Sequence, residues 1–393
     1  MTLPGINHLL TQPEQYLKGK TVGLIVNHTS LTSDHHHSIT HFKSHSSFTL
    51  NALFAPEHGL YGIAQDMIEI ENEVDPVSGL TISSLYGKTE KTLEPDPAAL
   101  AEVDNLVFDI QDVGSRYYTF IYTMAKCMDI CKKSNTRMIV CDRPNPINGV
   151  SLEGNLVTDD YRSFVGQYPL PNRHAMTVGE LALFFNHEID IGCELKIVPM
   201  THWNREQWYD ETRLPWVPPS PNMPTLDTAV VYPGMCLIEG TQLSEGRGTT
   251  RPFENFGAPY IDPQKLSKRI QKDIDKLPGV MFRPQFFQPM FQKHKNEVCG
   301  GLQIHVTDRN QYKPLLTTLA LLRAIAELYP NDFKWRTEPY EFVSDRLAID
   351  LLYGNTHLRE TVFTDLFSLA DIEESWQEEL DSFKEVRNNY LMY

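Results

Sequence analysis

Four short stretches place acids, bases and cations just beyond an apolar run. They are Asn27 and His28 after TVGLIV, Glu57 and His58 in APEHGLYG, Asp109, Asp112 and Arg116 in FDIQDVGSRYY, and Asp142, Arg143 and Asn145 in CDRPNPINGV. Glu57 is the best placed of these to donate a proton. The LFAP run stands behind its carboxyl, and Gly59 leaves room for a substrate to approach. The alternative is a structural carboxylate that caps a backbone or pairs with an arginine.

A second group suits anion recognition. Gly114, Ser115 and Arg116 lead into a helix, where backbone N–H groups and a guanidinium can hold a carboxylate, with Tyr118 close behind. An ion pair between Arg116 and a nearby aspartate is the competing reading, and Asp109 is expected to hold the loop or orient that arginine. The loop GTQLSEGRGTTRPFENFG gathers Glu245, Arg247, Arg251 and Glu254 among small residues, which fits either an anionic, hydroxyl-rich ligand or solvated turns. Arg173 and His174 in PNRHAM and Asn222 in PSPNMP extend the set. Trp203, Trp208, Tyr209 and Trp216 stack on a sugar ring or pack a domain junction.

These residues must be carried by strand ends and loops. Thr21–His28, Leu50–Pro56, Asn105–Gln111 and Arg137–Pro144 are β-branched, apolar runs closing in polar or turn residues, the pattern of buried parallel strands. Between the last two, Phe120, Ile121, Met124, Ala125, Met128 and Cys131 recur at helical spacing. Thr177 and Glu180 form a capping box at the start of another helix, before the strand CELKIVPM. The predicted fold is α/β: a Rossmann-like, doubly wound, mostly parallel sheet over residues 1–205, then a Pro/Trp-rich connection over 206–224. A smaller C-terminal α/β domain, 225–393, follows, built on PQKLSKRIQKDI, GVMFRPQFF, GGLQIHVTD and KPLLTTLALLRAIAELY. In such a sheet ligands bind beyond the carboxyl ends of the strands, so the strand-end groups are expected to converge on one crevice.

Several function classes are excluded. A net charge of −16 repels a phosphate backbone or an anionic bilayer, so neither nucleic acid nor membrane is an expected partner. No run approaches the ~20 apolar residues of a membrane helix. The N-terminus lacks a basic leader and an apolar core, so the chain as written is expected in the cytoplasm, and outside it if a leader was removed. The six cysteines read as buried thiols without zinc-site spacing, and His35, His36 and His37 as solvated surface; no metal is expected. Gly87, Lys88 and Thr89 imitate the end of a P-loop, but Ile82 stands where its first glycine belongs. Gly246 and Gly248 lack the third glycine of a dinucleotide fingerprint, and neither G-x-S-x-G nor H-E-x-x-H occurs.

Taken together, LKGKTVGLIVNHT, LFAPEHGLYG, VFDIQDVGSRYYTFIYTM, CDRPNPINGVSLEGN, SFVGQYPLPNRHAMTVGEL, LPWVPPSPNMPTLDTAVVYPGMCLIEGTQLSEGRGTTRPFE and CGGLQIHVTDR resemble, nearly end to end, the exo-β-N-acetylmuramidases of glycoside hydrolase family 171, formerly a domain of unknown function. The resemblance implies a sugar bound in a groove between two domains, no nicotinamide cofactor, and release of N-acetylmuramic acid from the non-reducing end of peptidoglycan fragments. It also makes Glu57, in the E-H-G motif, the leading catalytic residue. Asn27, His58, Arg116, Tyr118, Arg143, Asn145, Arg173, His174, Asn222, Arg247 and Arg251 are the expected substrate-binding set. A partner carboxylate would stand ~5–5.5 Å from Glu57 for retention or ~6.5–9.5 Å for inversion. Asp112 and Glu245 are candidates, and the substrate's own acetamido group is a third route. A non-catalytic muropeptide-binding protein is the alternative function.

Overall fold

The computed structural model describes residues 1–65, 73–87, 89–361 and 367–393; Lys88 of the P-loop imitation lies outside them. Seven strands, β1 (Thr21–Val26), β2 (Thr49–Ala55), β3 (Glu73–Val74), β4 (Thr81–Ser84), β5 (Asn105–Asp109), β6 (Arg137–Cys141) and β7 (Leu195–Val198), form one sheet in the order β3-β4-β2-β1-β5-β6-β7. Every pairing is parallel except that of β3 with β4. β1 lies at the centre, and Val22–Val26 are buried, as an apolar run covered on both faces must be. The chain steps outward from β1 through β2 to β4, then crosses back to β5 and on to β7. Its order reverses between β1 and β5, as in a dinucleotide-binding sheet.

Helices α1 (Gly5–Thr11), α2 (Ser38–Ser44), α3 (Phe120–Ser134) and α4 (Val178–Glu188) accompany this sheet. Thr177 and Glu180 make the capping box that opens α4, and α3 is buried from Phe120 to Met128. The second unit has helices α5 (Leu226–Met235), α6 (Pro263–Ile270), α7 (Pro314–Leu328) and α8 (Ala348–Tyr353). Its antiparallel sheet holds β8 (Asn255–Ala258), β9 (Val280–Phe287) and β10 (Cys299–Val306) in the order β8-β10-β9. α5 and α7 approach so closely that a Cβ on Gly234 would lie 1.9 Å from the Pro314 carbonyl oxygen. The chain is thus the predicted doubly wound α/β sheet with a smaller α/β unit.

The place where such a sheet receives a dinucleotide is filled by the protein itself. Ser30 Oγ donates to the Asp109 carbonyl, and the Gln111 N–H donates to Thr29 Oγ1 (3.0 Å). Arg143 donates through Nε to Asp109 Oδ1 (2.7 Å) and through Nη2 to the Leu31 carbonyl (2.9 Å). Burial pushes the Asp109 carboxyl upward against the pull of Arg143.

A neighbouring buried cluster links the C-terminal residue to the sheet. Asp142 accepts from Thr177 Oγ1 (2.8 Å), the Gly179 N–H (2.8 Å) and the Tyr393 hydroxyl (2.8 Å). Burial, reinforced by the charge of Glu180, pushes its carboxyl from 3.8 up to about 7. Within that window the folded chain keeps a proton that the unfolded chain releases, so this group's contribution to stability falls as pH rises, then levels off. In denaturant titrations, the difference between wild type and Asp142→Asn should therefore move against the wild type from pH 4 to pH 7. A difference that moves in the wild type's favour would contradict the assignment.

Candidate active site

β2 ends at Ala55, and the chain turns immediately. His58 (φ 70°) and Gly59 (φ 76°) both adopt the left-handed conformation that closes a tight turn. Glu57 stands at this turn and accepts a hydrogen bond from Oγ1 of Thr119, the N-cap residue of α3 (2.9 Å). His58 Nδ1 lies 2.9 Å from the Ala64 carbonyl, which fixes the ring. Both residues line a cavity, walled further by Tyr117, Tyr118, Thr119 and Val165 of the first unit. Ser220, Asn222 and Met223 of the Pro-rich connection close one side, and Tyr232, Glu239, Arg247, Phe253, Tyr340 and Glu341 complete the wall.

The charges in this wall are held by specific partners. Glu239 accepts from Arg247 Nη2 through Oε1 (2.7 Å) and from the Tyr340 hydroxyl through Oε2 (2.7 Å). Glu245 lies behind, 3.3 Å from Arg247 Nε and 2.9 Å from Lys293 Nζ. Asn222 Nδ2 donates to Gln65 Oε1 (2.8 Å), tying the connection to the segment after Glu57. Burial holds the Tyr118, Tyr232 and Tyr340 hydroxyls well above the ordinary phenol range, so all three remain protonated donors. The Tyr118 hydroxyl faces Ser220 without closing a hydrogen bond of good geometry.

Among the residues expected from sequence, Glu57, His58, Tyr118, Asn222 and Arg247 line the cavity together. The others do not converge there, and their side chains have internal partners. Arg116 is fully buried and donates to four carbonyls: Asn155 (2.5 Å) and Leu170 (3.0 Å) through Nη1, Leu352 (2.8 Å) and Tyr353 (2.6 Å) through Nη2. It joins the first unit to α8 and offers no face to a ligand carboxylate. Asp112 accepts from the Gly114 N–H (2.7 Å), with His174 Nε2 3.7 Å away; both are buried outside the lining. Asn27 Oδ1 binds Thr29, Arg143 pairs with Asp109, and Asn145 bridges the Met176 carbonyl and the Ile147 N–H. Arg173 donates to the Ile147 carbonyl and lies over the Trp208 ring, while Arg251 is a surface group paired with Glu254 (3.1 Å). The ends of β1, β5 and β6 thus form a buried polar plug, and the end of β2 alone among these four opens into the cavity.

Four wall residues, Thr119, Glu239, Tyr340 and Glu341, carried no distinct signal. Glu239 was the most accessible to sequence reasoning, as the lone carboxylate inside the apolar run GMCLIEG. The histidine run divides in the structure: His37 caps α2 through the Ile39 N–H, whereas His36 and His41 approach Asp34 at 3.1 and 3.8 Å on the surface, outside the cavity. Among the described residues, no helix is long and apolar enough to cross a membrane.

A doubly wound sheet whose dinucleotide crevice is plugged, with a glutamate at a strand end facing a second carboxylate unit across a polar cavity, has the build of a two-domain glycosidase. The chain belongs to the exo-β-N-acetylmuramidase NamZ family, whose N-terminal model matches residues 22–227 and whose C-terminal model matches 230–393. It is 44% identical over 389 residues to the peptidoglycan β-N-acetylmuramidase NamZ of Bacillus subtilis (strain 168), covering 99% of this chain and 91% of that protein. Two crystal structures of DUF1343 family proteins from Bacteroides fragilis NCTC 9343 share the fold. Their TM-scores are 0.87 at 34% identity and 0.77 at 28% identity, each covering 100% of this chain and 99% of the other. As a family member, the chain is a glycosidase.

Proposed function

We propose that this chain removes N-acetylmuramic acid from the non-reducing end of peptidoglycan-derived fragments such as MurNAc–GlcNAc, with Glu57 as general acid. The observation that carries the reading is the position of Glu57, at the one strand end among those four that opens into the cavity, held by Thr119. We read residues 1–205 as the domain bearing the acid, 206–224 as the connection supplying Ser220 and Asn222, and 225–393 as the domain closing the groove. The Tyr118 hydroxyl and the second N–H of the Asn222 amide, whose first is given to Gln65, suit a hydroxyl-rich ligand.

Incubation of the purified chain with MurNAc–GlcNAc tests the proposal. Free N-acetylmuramic acid and free N-acetylglucosamine should appear in equal amounts. Tight binding of the disaccharide with no release would favour a non-catalytic muropeptide-binding protein instead.

A further inference from the structure

Glu57 supplies one carboxyl, yet hydrolysis of a glycoside with an oxocarbenium-like transition state needs a second group on the same sugar. The two acids singled out from sequence do not fill the role: Asp112 lies outside the cavity, and Glu245 sits behind its wall between Lys293 and Arg247. Glu239 does line the cavity, on the opposite unit from Glu57.

We propose that Glu239 is the second catalytic carboxylate, and that it accepts the N–H of the substrate's 2-acetamido group so that the acetamido oxygen attacks C1. This assignment rests on the exo-muramidase reading. Its basis is how the carboxylate is held. Arg247 Nη2 donates to one oxygen and the Tyr340 hydroxyl to the other, each at 2.7 Å. A carboxylate gripped on both oxygens is a poor nucleophile, because its electron pairs are drawn toward a cation and a phenol. The same grip makes it a well-oriented acceptor, since two oxygens provide about four acceptor positions and two donors leave room for an amide N–H. Arg247 is fixed in turn by Glu245, so Glu239 cannot swing away without breaking that network.

The steps balance as follows. The acetamido oxygen bonds to C1 while the C1–O bond to the leaving sugar breaks. Glu57 gives its proton to the departing oxygen, while the amide N–H stays hydrogen-bonded to Glu239, whose negative charge offsets that of the oxazolinium ion formed. Water then adds at C1, its proton goes to the Glu57 carboxylate, and the bond between C1 and the acetamido oxygen breaks, its electron pair restoring the neutral acetamide beside Glu239. Both glutamates regain their starting states, and the sugar leaves with its configuration retained.

The experiment compares wild type, Glu239→Gln and Glu341→Gln on MurNAc–GlcNAc, with thermal unfolding to confirm that each is folded. It also compares wild type on the same disaccharide carrying an N-trifluoroacetyl group on the muramic acid. Glu239→Gln should lose roughly 10²–10³-fold in kcat with KM changed only a few-fold. The fluorinated substrate should be turned over at least about tenfold more slowly by the wild type, because its amide oxygen is a weaker nucleophile. The first product seen by NMR should be the β-anomer. Release of the α-anomer, a Glu239→Gln rate within tenfold of wild type, or a loss confined to Glu341→Gln would overturn the assignment while leaving the exo-muramidase reading intact. Absence of release by the wild type itself would refute that reading, and this assignment with it.

Discussion

Replacing Glu57 by Gln should lower kcat for release of N-acetylmuramic acid by roughly 10²–10⁴-fold while substrate binding is largely kept. Gln has the same shape, and its amide oxygen can still accept from Thr119 Oγ1, so the turn after β2 and the N-terminus of α3 should hold their positions. What disappears is the transferable proton. At about 1.4 kcal/mol per decade, the expected loss amounts to about 3–5.5 kcal/mol of transition-state stabilisation. Single-turnover assays on MurNAc–GlcNAc, beside calorimetric titration of the disaccharide into the variant, separate chemistry from binding. A variant within tenfold of wild type would move the acid elsewhere in the wall. A variant that neither binds nor turns over would show that Glu57 positions the sugar rather than protonating its leaving group.

The sheet could be read from sequence because its physics is local. β1, β5 and β6 are buried on both faces, and β2 over its last three residues, so each shows as an apolar run, and the Thr177–Glu180 capping box marks the start of α4 without any knowledge of its neighbours. β3 and β4 give no such signal: they are two and four residues long, at one side of the sheet, where half-exposed polar side chains leave no apolar signature. The site was legible only in part. Sequence chemistry identifies which residues follow a strand, but not which strand end opens to a cavity. That depends on how loops such as Asn27–Leu31 fold back over β1 and β5, with Ser30 and Arg143 clamping Asp109. Glu239 is silent in the sequence for a related reason. An acid within an apolar run is ambiguous until Arg247 and Tyr340, eight and 101 residues further on, are seen to hold it.

Arg116 shows the same ambiguity resolved the other way, and it carries the largest expected effect on stability. A guanidinium beside a helix N-terminus reads from sequence as an anion trap, but here its acceptors are four main-chain carbonyls, two in the first unit and two at the end of α8. Arg116→Leu keeps apolar bulk and deletes the donors, leaving buried acceptors unpaired at about 1–3 kcal/mol each before relaxation. Partial repacking brings the expected total to about 3–5 kcal/mol, read as a shift in the denaturant midpoint at unchanged slope. Arg116→Lys should recover only part of this, because an ammonium offers three donors from one point where the planar fork reaches four carbonyls. Arg116 also precedes Thr119 by three residues, so slack at this junction should reach the hydroxyl that holds Glu57. The lysine variant, folded but loosened, is therefore expected to lose activity at temperatures well below its unfolding. A lysine variant as active as wild type up to its own melting point would confine Arg116 to holding the two units together.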